Sequence, residues 1–214
     1  MNETREKILD TAERLFGEQG YAATSLRHII AEAGVNLAAI HYHFGSKEEL
    51  LDEVLMRKAG PVNEERLALL DRLEAEAGSG LLPVDKVLEA FLGPPFSRAE
   101  HSPEFVRMMG RLYGEGLMTM ILQKHFQAVV ARFFAALRRA LPDLTERELA
   151  LRIQFMAGAM AHTMFAVPLV KCAEGPAAVS DRATVLRELV AFLGAGFRAP
   201  VACGEPAGGK VEVK

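Results

Sequence analysis

The run from Asn36 to Phe44, Asn-Leu-Ala-Ala-Ile-His-Tyr-His-Phe, gathers side chains able to touch a partner molecule at a polar edge. The His41 imidazole donates to or accepts from a base edge. Leu37, Ala38 and Ala39 are of a size to meet thymine methyl groups, and Tyr42 offers a phenol to a phosphate. On a 100° wheel Ile40 and Phe44 take the inner side of a short helix. Ala38 and Tyr42 point the opposite way, flanked by Ala39 and His41. A helix with so small an outer face can sit deep in a major groove. Thr24 and Ser25 precede the neighbouring helix, where hydroxyls and free backbone N–H groups suit phosphate oxygens. Lys47 adds a cation at the start of the helix that follows. His41 and His43 do not form a metal pair, because positions i and i+2 diverge by about 200° on a helix. His43 instead covers the turn or meets a phosphate. No GxSxG, HExxH, Walker or GxGxxG pattern occurs, so the chain reads as neither an enzyme nor a cofactor binder.

The elements that must hold these groups are helical throughout. Ile8, Leu9, Ala12, Leu15 and Phe16 make one apolar stripe over Thr4 to Gln19, stopped by Gly20. Leu26, Ile29, Ile30 and Ala33 repeat that spacing on a second helix capped by Thr24 or Ser25 and ended by Gly34. Asn36 can cap the third, and Ser46 with Glu49 forms a capping box for the fourth. The spacing predicts a kink or break in the fourth helix at Gly60-Pro61 and its continuation to Ala77. Further helices are expected over Pro83–Ser97, with Gly93-Pro94-Pro95 as an internal breaker, and from Ser102-Pro103 to Leu112. Another runs from Met120 to Leu141. A Thr145/Glu148 capping box opens the next, to about Ala173, and the last runs from Ser180 or Asp181 to Ala199. The fold class is all-α with about nine helices. Residues 1–50 form a helix-turn-helix domain, 51–200 a larger helical body, and 201–214 a flexible tail.

Seven of the nine methionines lie between residues 108 and 164, among Phe126, Phe133, Phe134, Phe155 and Phe165. Methionine adapts to irregular space and recurs on permissive binding surfaces. An apolar pocket is therefore expected between the helices of this half, contacted by Met109, Leu112, Phe126, Phe133, Phe155, Met156 and Met160. Arg107 or Arg111 stands near enough in sequence to pair with an acidic headgroup. Ala157, Gly158, Ala159 and Ala161 allow close approach to a second copy of the chain, with Met160, Met164, Phe192 and Phe197 supplying buried area.

Composition excludes several classes. The 214 residues carry 25 Lys and Arg against 28 Asp and Glu, a net charge of −3. Residues 1–50 hold five basic and eight acidic side chains, again a net of −3, so contact with a polyanion leans on local placement and helix N-termini. Cys172 and Cys203 have neither a CxxC spacing nor a histidine cluster, which removes zinc ribbons and disulfide scaffolds. The charged N-terminus is no signal peptide, and a cytoplasmic location is expected. Ile153 to Val170 is apolar, but Gln154, His162 and Pro168 make it a buried or dimer-forming helix and not a membrane span.

The order of residues resembles the TetR/AcrR family of transcriptional regulators. The run that carries it is Thr24-Ser-Leu-Arg27, Ile29, Ala33-Gly-Val-Asn36, Ile40-His-Tyr-His-Phe44 and Lys47-Glu48, within residues 5–52. The resemblance implies a major-groove helix at Asn36–Phe44, with base contacts at Leu37, Ala38 and His41. It implies phosphate contacts at Thr24, Tyr42, His43 and Lys47, beside Ser25, Arg27, Asn36 and Ala39. It also implies a homodimeric repressor on a palindromic operator of double-stranded DNA, released by a small apolar ligand. The wording VNLAAIHYHFGSKEELL is similar to the subgroup that answers to a fatty acid or acyl-CoA. Two other classes stand beside this one. A fully packed body would suit a DNA-bound protein that recognises another protein, and converging polar groups such as His125 and His162 would suit an enzyme.

Overall fold

The computed structural model describes residues 2–36, 42–99, 102–165 and 182–201. They form an all-α protein with eight helices of eight residues or more. Helix α1, Asn2–Gln19, buries Ile8, Leu9, Ala12, Leu15 and Phe16 along the stripe read from the sequence. Gly20 ends it at φ +90°, a conformation that L side chains rarely adopt. Helix α2, Leu26–Ala33, starts where Ser25 Oγ accepts the His28 N–H at 3.2 Å. It stops at Gly34, φ +61°, whose N–H donates to Ala31 O while Val35 N–H reaches back to Ile30 O. Residues 37–41, most of the expected third helix, lie outside the described residues.

Helix α3, Lys47–Ala77, opens on the expected capping box. Glu49 N–H donates to Ser46 Oγ at 3.1 Å, and Ser46 N–H donates to Glu49 Oε2 at 2.9 Å. It then runs unbroken for 31 residues, through Pro61, where the sequence suggested a kink or break. Proline removes one helical N–H, and packing on both sides overrides that loss. Leu50, Leu51, Val54 and Leu55 hold the first half in one core, and Leu70 holds the second half in another. Helix α4, Val84–Ala99, likewise continues through Gly93-Pro94-Pro95, with Val87, Leu88, Leu92 and Phe96 buried along it. Helix α5 spans Pro103–Gly114. The expected single helix from Met120 is instead α6, Met118–Ile121, then a π turn over Leu122–Phe126, then α7, Gln127–Ala140. A π turn shifts the helical register and turns the side chains after it to a new face. Helix α8, Glu146–Phe165, carries the Thr145/Glu148 box, and α9 is Arg182–Arg198. The tail from residue 202 and the segment 166–181 lie outside the described residues.

Two apolar cores organise these elements. One joins α1, α2 and the start of α3 and is completed from the body by Met108, Met109, Leu112 and Ile121. The other lies among α3, α4, α7, α8 and α9. Head and body approach closely where α1 packs against α5. A Cβ on Gly17 would stand 3.3 Å from the backbone of Glu104 and of Met108, so only glycine fits there without displacement. No helix among the described residues is long and apolar enough to cross a membrane.

Candidate nucleic-acid interface and cavity

The helix-turn-helix head presents Ser25, Arg27 and Asn36 on its surface. Tyr42 is 71% exposed, its ring edge-on to His43 at 5.0 Å. His43 is half-buried between Tyr42 and Phe44, and Phe44 closes the inner side of the head. Lys47 lies 4.1 Å over the Tyr21 ring. Burial pushes its ammonium pKa down, while Glu115 and Glu48 oppose that shift. Leu37, Ala38, Ala39 and His41, the expected base contacts, lie outside the described residues. Thr24 requires a correction. Its side chain is 1% exposed and its hydroxyl donates to Gly20 O at 2.7 Å, with Leu15 O a second acceptor at 3.3 Å. It pins the α1–α2 turn and cannot offer its hydroxyl to a phosphate.

The body encloses a cavity of about 650 Å³ between α3, α4, α5, the π turn, α7 and α8. Met109, Phe126 and Met160 line it, as the sequence suggested. Leu112, Phe133 and Met156 do not. They are buried in the cores behind the wall, Leu112 in the core shared with the head and Phe133 and Met156 in the body core. Phe155 is 66% exposed and faces outward. Arg107 is exposed and lines nothing. Arg111 turns toward α1 and donates to Glu18 O at 3.3 Å. Phe197, expected on a surface between copies, is buried in the body core of its own chain. Phe192 is 73% exposed. Neither histidine of the enzyme reading converges on the cavity: His125 meets Asp52 at 2.6 Å, and His162 is exposed on α8. No group of three or more His, Cys, Asp or Glu among the described residues could hold a metal.

The sequence reading missed Arg66. It lies on the buried side of α3 with Ala59, Val62, Asn63 and Leu70, a charge on an otherwise packed stripe, and it lines the cavity. Desolvation lowers its guanidinium pKa to about 10, so it stays charged at neutral pH. A cation set four residues after Val62 and four before Leu70 was the available signal.

Beside the packing of α5 on α1 and the Arg111–Glu18 bond, two clusters of polar contacts help tie this body to the head. Arg57, on the cavity wall, bonds Glu6, Asp10 and Glu13 of α1 at 3.2, 2.7 and 2.5 Å. Just past α5, the Glu115 carboxylate accepts the Tyr21 and Ala22 N–H groups at 3.0 and 3.1 Å, capping the turn between α1 and α2.

A helix-turn-helix head bonded to a hollow helical body is the build of a DNA-binding regulator. Residues 8–54 match the family described as bacterial regulatory proteins, tetR family, and residues 89–196 match the tetracyclin repressor-like C-terminal domain. The chain belongs to the TetR family of transcriptional regulators. It is 50% identical over 52 residues to the HTH-type transcriptional regulator AcrR of Shigella flexneri, covering 24% of each chain. It is 40% identical over 55 residues to the HTH-type transcriptional repressor KstR2 of Mycobacterium tuberculosis, covering 26% of this chain and 28% of that one. The matches thus span about a quarter of the length of these two relatives. A TetR-like transcriptional regulator from Rhodococcus sp. RHA1 shares the fold, with TM-score 0.61 and 17% identity over 92% of this chain and 97% of that one.

Proposed function

We propose that the protein is a homodimeric, cytoplasmic repressor whose hold on a palindromic operator weakens when a small apolar ligand fills the body cavity. The observation that carries this reading is the cavity itself. It is largely apolar and of a size that suits a small ligand. It also shares its wall with the helices that grip the head. A ligand there touches Phe105, Val106, Met109 and Tyr113 of α5. Helix α5 cannot shift without moving α1, which it meets at Gly17, or the turn that Glu115 caps. Arg57 carries the same displacement from α3 to α1. The Gly60-Pro61 hinge suggested by the sequence is not needed, since α3 is continuous.

Dimerisation is supported by the outer faces of α8 and α9. Leu151 and Phe155 on one, with Phe192 and Ala195 on the other, leave large apolar and small side chains exposed. A two-fold axis through that face would present two reading helices to half-sites about 34–36 Å apart or a multiple of that spacing. In this reading residues 1–50 read DNA, with Leu37, Ala38 and His41 at base edges and Ser25, Tyr42, His43 and Lys47 at phosphates. Residues 51–200 sense and dimerise. The open cavity weighs against a body built only to bind another protein.

Operator duplex selected from a random pool, titrated with and without hexadecanoate, tests the switch. A loss of about 5–150-fold in affinity corresponds to ordinary allosteric coupling. Unchanged affinity at saturating occupancy of the cavity would end this reading.

A further inference from the structure

The cavity wall contains a buried charge that no carboxylate among the described residues answers. Arg66 is 4% exposed. Its Nε donates to Phe91 O at 2.7 Å and its Nη1 to Asn63 Oδ1 at 3.1 Å. Its Nη2 finds only the Met160 sulfur at 4.0 Å. The guanidinium plane lies 4.1 Å from the Phe91 ring centre. A guanidinium has five N–H donors, so two are left without an acceptor among the described residues. No carboxylate forms an ion pair with it there. Among the described residues four basic side chains line the cavity, Arg57, Lys58, Arg66 and Arg98, and no acidic one does. Arg57 and Arg98 are neutralised by Glu13 and Glu65, whereas Arg66, the most buried of the four, is not.

An unpaired buried charge is costly unless something pairs with it. A wholly neutral ligand would strip away remaining water and leave the guanidinium worse off. A carboxylate would take up its free N–H groups in the fork geometry that guanidinium and carboxylate share. We propose that Arg66 is the seat of the ligand's carboxylate. The effector is then an amphipathic monoanion, a free acid whose apolar body lies along Phe105, Met109, Phe126 and Met164. The inference rests on the reading of the cavity as the effector site and narrows it. It also decides between the two forms of acyl ligand considered from the sequence. A thioester carries its charge on the distant coenzyme phosphates and none at its carbonyl, so a carboxylate seat at Arg66 selects the free acid.

The test compares octanoate to hexadecanoate with their methyl esters and coenzyme A thioesters by calorimetric titration of the full-length protein. The expected result is one acid that binds at least about tenfold tighter than its own ester and its own thioester, a difference of about 1.4 kcal/mol. Arg66→Met should bring acid and ester to within about threefold, Arg66→Lys should keep part of the preference, and Arg132→Met, outside the cavity, should keep all of it. An ester or thioester that binds wild type as well as the acid overturns the carboxylate seat but leaves the cavity as an apolar effector site. So does a preference that survives in a folded Arg66→Met. Failure of acid, ester and thioester alike to bind wild type overturns the proposed acyl effector together with this inference. The wild-type comparison needs no variant, so a poorly folding Arg66→Met does not shield the proposal.

Discussion

Replacing Glu115 with alanine removes the clasp between body and head while sparing both cores. The carboxylate accepts two backbone N–H groups, from Tyr21 at 3.0 Å and Ala22 at 3.1 Å. Hydrogen bonds to charged groups contribute about 1.5–3 kcal/mol each where solvent is excluded, and less where water can replace them. Glu115 and Ala22 are exposed and Tyr21 half-buried, so the pair together contributes about 1–2 kcal/mol. For a chain of this size that lowers the melting temperature by about 2–8 °C. The larger effect is expected on coupling. With the clasp gone, displacement of α5 no longer reaches the α1–α2 turn through that route, and the α1–α5 packing at Gly17, the Arg111–Glu18 bond and the Arg57 bridge remain. Operator affinity of Glu115→Ala should therefore stay within a few-fold of wild type without ligand, and the loss caused by hexadecanoate should shrink by at least about threefold. Fluorescence anisotropy of labelled operator, with calorimetric unfolding alongside, reads both quantities. A folded Glu115→Ala that releases DNA as fully as wild type would refute this route.

Tyr42→Ala should weaken binding to operator and unrelated duplex alike. Changing His41 should instead alter the preferred base at one position by about 1–3 kcal/mol, and competition with single-base operator variants separates the two. Phe155→Glu with Phe192→Glu places charges on the proposed dimer face and should give monomers in sedimentation, with operator affinity lost and helicity retained. Glu148 is held below the usual carboxyl range by bonds from the Thr145 N–H and hydroxyl. Its contribution to stability is therefore present above the ordinary glutamate pKa of about 4.3 and fades as pH falls through the lower, folded value. Glu148→Gln should then melt earlier than wild type at neutral pH and equally in acid.

What the sequence revealed, and what it hid, follow from the range of the interactions involved. Caps are local, so Ser25, Ser46 with Glu49, and Thr145 with Glu148 could be read from residues three apart. The α1 stripe and the Gly34 stop were legible for the same reason. Thr24 has the side chain a phosphate contact needs, but its hydroxyl is drawn inward by Gly20 O and by Leu15 O, nine residues away, and no local rule announces that. Pro61 and Pro94 look like breakers, but their helices continue through them where tertiary packing holds both sides. The methionine and phenylalanine cluster marked one side of the cavity, whose other side comes from α3 and α4. Which of those side chains face it depended on a π turn at Leu122–Phe126 that shifts the register. Arg66 could have been noticed as a cation on an apolar stripe, but its lack of a partner is a property of the folded body alone.

The central claim is that filling the cavity loosens the grip on DNA. Its most direct measurement is the dissociation constant of the wild-type dimer for its selected operator, at fixed salt, with the tightest-binding acid absent and then saturating. The constant should rise by about 5–150-fold. A constant that does not move while calorimetry shows the acid bound would contradict it.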